Sequence, residues 1–155
     1  MTVYESIICL FQTNNIIYER VEHPPVYTSL EAAKIRNSDL SAGLKALVFI
    51  ADTNPILVIV PGDKKVNTNS FKNIFGFRDL RFASPEEVFN IIGIGIGSVP
   101  PIGKVLNLKS YFDKSIENKG RIAFNAGLHT VSVYMSAQDL LELEKHLIGE
   151  FAKDL

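Results

Sequence analysis

A chain of 155 residues with 16 basic and 17 acidic side chains, net charge −1 and 46% apolar residues matches one globular domain, not a nucleic-acid coat or a disordered tail. Its single cysteine excludes an intramolecular disulfide, and purely apolar runs such as Ile56 to Val60 are far too short to span a membrane. Without a basic, apolar leader at the start, a cytoplasmic location is expected, with residues 1–155 forming one domain.

In chain order, residues 2–14 show helical spacing (Val3, Ile7, Leu10, Phe11) and stop at Asn14-Asn15. Cys9 within that pattern is expected to pack as a small core hydrophobe. A strand from Ile16 to Val21 ends at His23-Pro24-Pro25. Thr28-Ser29-Leu30-Glu31 reads as a capping box opening a helix through Arg36. Apolar strands at 44–51 and 56–60 flank the turn Asp52-Thr53-Asn54-Pro55, and the all-apolar Ile56-Leu57-Val58-Ile59-Val60 implies a sheet covered on both faces.

Asn67 to Phe75 reads as a helix ending at Gly76, and Arg78 to Ala83 as extended. Ser84-Pro85-Glu86-Glu87 caps the next helix, with proline in its first turn. Residues 105–108, 121–126 and 129–135 read as strands. Ser136 caps a last helix that turns Leu140, Leu143 and Leu147 inward. Helices and strands interleave without a strict βαβ rhythm, so the expected fold is α+β, a mixed curved sheet flanked by helices.

The chemistry concentrates in Gly97-Ser98-Val99-Pro100-Pro101-Ile102-Gly103. A stretch so rich in Gly and Pro makes neither helix nor central strand; it is a shaped backbone able to present peptide N–H groups. Familiar motifs fail here. The third glycine of a dinucleotide fingerprint starting at Gly93 falls on Ser98 or Pro100, a P-loop ending at Gly103-Lys104 finds Val105 at its Ser/Thr position, and no G-x-S-x-G occurs. Three scattered histidines and one cysteine make no familiar metal site. Lys45 stands at the mouth of an apolar strand, where removing an ammonium from water costs several kcal/mol without compensation; snorkelling to solvent is the plain alternative. Residues 61–121 carry ten basic and six acidic side chains, a distribution suited either to a few phosphates or to an ordinary solvated surface.

The segment Tyr18-Glu19-Arg20-Val21-Glu22-His23-Pro24-Pro25-Val26-Tyr27-Thr28, Lys45, the G-x-x-x-P run from Gly97 to Pro101, and Phe124-Asn125-Ala126-Gly127 resemble, in order and spacing, the YbaK family. That family is related to the editing domain inserted in bacterial prolyl-tRNA synthetases. The resemblance implies a deacylase that hydrolyses a mischarged tRNA carrying a small amino acid such as Ala, Cys, Ser or Pro, by positioned water and without cofactor or metal. It implies catalytic roles for Lys45, Gly97 and Ser98, and a substrate-binding wall from Val99, Pro101, Gly103, Asn125, Gly127, His129, Tyr18 and Tyr27. The implied partner is the aminoacylated 3′ end of tRNA, with a synthetase as a further docking partner. Asn125 stands where many relatives have serine, and no acidic residue accompanies Ser132. A non-catalytic aminoacyl-tRNA or synthetase binding module and a small-molecule ester or amide hydrolase stay open as other classes.

Overall fold

The structure is a computed structural model that describes residues 1–155. Side chains placed by the sequence fix several helix starts. Thr2 accepts the Glu5 N–H and Glu5 returns to the Thr2 N–H, opening α1 (Val3–Thr13). Thr28 caps α2 (Ser29–Arg36), which ends at Asn37 in the left-handed region. The Ser84–Glu87 box with Pro85 at the first turn opens α4 (Pro85–Ile92).

Strands β2 (Leu44–Ala51) and β3 (Asn54–Pro61) form an antiparallel hairpin at the centre of a five-stranded mixed sheet, ordered β5-β2-β3-β6-β9. Its other members are β5 (Leu80–Phe82), β6 (Ser110–Asp113) and β9 (His146–Gly149), the last two running parallel to β3. A second, antiparallel sheet orders β1 (Glu19–Glu22), β8 (Val131–Ser136) and β7 (Arg121–Asn125) as β1-β8-β7. Strand β10 (Ala152–Asp154) pairs with β4 (Lys64–Val66), and α3 (Thr68–Phe75) follows β4. A parallel bridge between Gly43 and Ala123 joins the two larger sheets.

The apolar run in β3 alternates into two cores, as an all-apolar strand must. Leu57 and Ile59 join a cluster with Phe112, Phe124 and Val133, whereas Ile56, Val58 and Val60 join Phe49, Phe71 and Phe151 on the other face. The architecture is thus the mixed α+β arrangement expected from the sequence. No helix is long and apolar enough to cross a membrane.

Three sequence expectations are corrected. Residues 105–108 are not a strand: Gly103–Leu106 form a short helical turn, α5, because the buried Glu144 carboxylate accepts the Gly103 and Lys104 N–H groups. The last helix, α6 (Ala137–Leu143), stops before Leu147, which lies exposed in β9 once that segment pairs with β6. Cys9 is exposed on α1, which buries Ile7 and Phe11 instead. In addition β1 begins at Glu19, three residues later than the apolar pattern suggested.

Truncating Leu57, fully buried at the centre of the hairpin, tests this core. Leu57→Ala is expected to remove about 2–5 kcal/mol of stability in urea denaturation, with the slope of the transition unchanged.

Candidate functional site

Strand β5 covers only Phe49–Ala51 of β2 in strand pairing, with Ala83 N–H reaching Val48 O just beyond, so the first half of β2 has an open edge. Because main-chain groups alternate in direction along a strand, Ala46 turns its N–H and C=O toward the same edge as Val48. A cavity of about 480 Å³ lies along it, lined by Gly43 to Leu47 and facing Tyr27, Arg36, Gly97, Val99 and Asn125. That volume suits a small ligand. No acidic side chain lines it, and two cations do, Lys45 and Arg36.

Lys45 has the strand parity that points away from the larger core, and its Nζ donates to Lys64 O at 2.6 Å. Loss of water lowers its pKa below the ordinary lysine range, and the nearby Asp63 charge partly opposes that shift. Asp63 Oδ1 is itself buried without a hydrogen-bond partner.

Gly97 opens the Gly/Pro loop at φ 86°, and a Cβ there would sit 2.7 Å from Tyr27 O, so only glycine fits this approach. The N–H groups of Gly97 and Val99 donate to no protein acceptor. With both residues on the cavity wall, they can serve an electron-rich oxygen there. After Val99 the loop runs inward: Pro101 and Ile102 are buried, and Gly103 is anchored by Glu144 Oε2 at 2.8 Å.

Of the residues singled out from the sequence, the cavity brings together Lys45, Gly97, Val99, Asn125 and Tyr27. Ser98, Pro101, Gly103, Gly127, His129 and Tyr18 do not line it. Ser98 gives both its N–H and its Oγ–H to Gly95 O, at 3.2 and 2.7 Å, and its carbonyl accepts the Gly127 N–H. Gly127, at φ 84°, lies against Val3 of α1. His129 Nε2 donates to Ile96 O at 3.0 Å, and its ring packs on Tyr27 at 4.5 Å between centroids. Tyr18 packs against Phe11.

Arg36 is the residue that sequence reasoning missed. Its Nε donates to Ser132 Oγ at 2.8 Å and an Nη2 hydrogen to Asn125 Oδ1 at 3.2 Å, while Asn125 Nδ2 donates to Gly97 O at 2.7 Å. His23 continues the chain. Its Nδ1 can only donate to Pro24 O, at 2.8 Å, so the neutral ring accepts the Ser132 hydroxyl hydrogen at Nε2, at 2.7 Å. The available signal was spacing: Arg36 follows the buried Ala32 and Ala33 by four and three residues, on the inward face of α2.

Residues 23–143 match the family model described as the aminoacyl-tRNA editing domain. The chain belongs to that family. A proline–tRNA ligase of Ligilactobacillus salivarius is 32% identical over 143 residues, covering 88% of this chain and 25% of the ligase. A proline–tRNA ligase of Streptococcus mutans is 31% identical over 118 residues, 74% of this chain and 19% of the ligase. The chain therefore spans about a quarter or less of the length of these curated relatives. In shape it is similar to the crystal structure of a "putative trans-editing enzyme for prolyl tRNA synthetase", with TM-score 0.83 and 24% identity, covering 99% of this chain and 98% of that one. A crystal structure of a hypothetical protein has TM-score 0.87 at 22% identity, covering 95% and 99%. These two likenesses bear on the editing-domain fold alone.

Gly97→Ala tests the close approach at Tyr27. It is expected to cost about 1–3 kcal/mol, seen as a lower melting temperature. Gly95→Ala is the control: its added carbon meets nothing nearer than His129 Cε1 at 3.6 Å, and its melting temperature should stay close to that of the wild type.

Proposed function

We propose that this editing-family chain is a deacylase that hydrolyses the ester of a mischarged aminoacyl-tRNA, acting in trans on a small amino acid. The observation that carries the reading is the cavity itself. Within about 480 Å³ it gathers a half-desolvated ammonium, two main-chain N–H groups without protein acceptors, and Asn125 clamping the loop that bears them. An activated ester needs no protein nucleophile; positioned water and stabilised charge suffice. The serine hydroxyl of the loop itself, Ser98 Oγ, is turned away to Gly95.

In this reading the Gly97 and Val99 N–H groups receive the ester carbonyl, and Lys45 positions the acyl group and adds positive charge beside it. With no acidic side chain on the wall, the open-edge carbonyl of Ala46 is the acceptor for the substrate's α-ammonium. Pro101, Gly103 and Gly127 hold the loop in shape, and the tilted Tyr27–His129 ring pair forms part of the rim. Ser98 acts as a loop brace, a change from the catalytic role the resemblance implied.

The test is a panel of tRNAs mischarged with Ala, Cys, Ser or Pro, comparing wild type with Lys45→Ala. At least one ester should be cleaved, with kcat/KM down about 10- to 1000-fold in the variant. Tight binding without turnover would sink the hydrolase reading, and cleavage of free esters regardless of tRNA would sink the substrate assignment. The pH dependence has a definite sign. Desolvation holds the Lys45 pKa below the ordinary 10.5, with the nearby Asp63 charge partly opposing the shift. The Lys45-dependent rate, wild type minus variant, should therefore decline with rising pH before 10.5 is reached.

A further inference from the structure

Arg36 carries more positive charge than the protein around it answers. Of its five N–H hydrogens, one on Nε and one on Nη2 are given to neutral oxygens, those of Ser132 and Asn125. Nη1 donates to no protein acceptor, and Arg36 takes part in none of the molecule's ion pairs. Burial lowers its pKa, with Tyr134 the only opposing influence. A half-buried guanidinium left in that state is costly, and an anion arriving beside it recovers the cost.

The fold keeps this group fixed and accessible. Its two hydrogen bonds hold the guanidinium plane, and Asn125 ties that plane to Gly97 O, one peptide away from the free N–H groups of the loop. A Cβ on Gly43 would come within 3.2 Å of Nη1, so the glycine leaves that edge clear. Arg36, Gly43, Gly97 and Val99 all line the same cavity, whose wall contributes no acidic side chain.

We propose that Arg36 is a catalytic residue whose free Nη1 edge, with the Gly97 and Val99 N–H groups, receives the oxyanion formed during deacylation; this rests on the deacylase reading above. Water adds to the carbonyl carbon, and the π pair moves onto the carbonyl oxygen, which then carries the charge facing Arg36. Collapse re-forms the carbonyl and breaks the bond to the ribose oxygen. That oxygen takes up the proton the water releases, leaving free amino acid and intact tRNA. A guanidinium that strengthens its contact only as charge develops lowers the barrier without tightening substrate binding.

The experiment measures deacylation by wild type, Arg36→Met and Arg36→Lys, together with binding of two unreactive mimics of the aminoacyl-adenosine end. One mimic has a neutral amide in place of the ester; the other has a tetrahedral phosphonate. The expected result for Arg36→Met is a kcat about 100-fold lower with KM within about threefold. Affinity for the phosphonate should fall in parallel while affinity for the amide holds. Arg36→Lys should restore part of kcat, because charge returns without the fork. It also carries the test if Arg36→Met does not fold. Equal loss of both mimics would overturn the proposal in favour of a purely structural role. A raised KM with unchanged kcat and a shallower salt dependence would overturn it in favour of a tRNA phosphate contact. Unchanged kcat in both variants, with wild type active, sinks the Arg36 role alone, whereas an inactive wild type sinks the deacylase reading itself.

Discussion

A single run of hydrogen bonds ties the site together: Asn125 to the Gly97 carbonyl, Arg36 to Asn125 and to Ser132, Ser132 to His23, and His23 to the Pro24 carbonyl. It joins the end of α2, strands β7 and β8, the His-Pro turn and the Gly/Pro loop, which come from three separate stretches of the chain. Apart from the Nη1 edge of Arg36, the polar groups that link it have partners, which is the condition for such groups to sit at the edge of an apolar core. Removing any member would leave another with an unanswered donor or acceptor. The loop's position relative to β2 therefore depends on side chains up to 109 residues apart.

A second anchor works from the far end of the loop. Glu144, buried after α6, accepts from the Gly103 and Lys104 N–H groups and from Ser110 Oγ. A carboxylate placed there satisfies the first turn of α5 and favours its helix-dipole direction. It also explains why α6 ends at Leu143: the chain turns there to insert Glu144 and then pairs β9 with β6. The Gly/Pro loop is consequently held at both ends by buried polar side chains, and its middle, Val99 and Ile102, by packing in the larger core.

Much of this was legible in the chain because the responsible physics is local. Capping residues at Thr28, Ser84 and Ser136 announce their helices within three residues, and the apolar run in β3 announces a strand buried on both sides. Lys45 stood out because a cation at an apolar strand's mouth breaks the pattern. What escaped was decided by distant partners. Val105-Leu106 reads as strand by propensity, yet Glu144, about forty residues on, makes it a helical turn. Arg36 looked like an ordinary basic residue in a helix's last turn until Ser132 and Asn125 were folded against it. Ser98 was drawn to the site by its loop, but its hydroxyl and amide were already committed to Gly95 three residues back.

The open edge of β2 and the exposed peptide groups of the loop have a consequence for how such a cavity can vary. Donors and acceptors that belong to peptide bonds persist through any replacement that leaves the chain path intact, whereas shape is set by the side chains of Leu30, Leu47, Ile96 and their neighbours. The shape of the cavity and its main-chain donors are thus written in separate parts of the polypeptide. One can drift while the other stays constant.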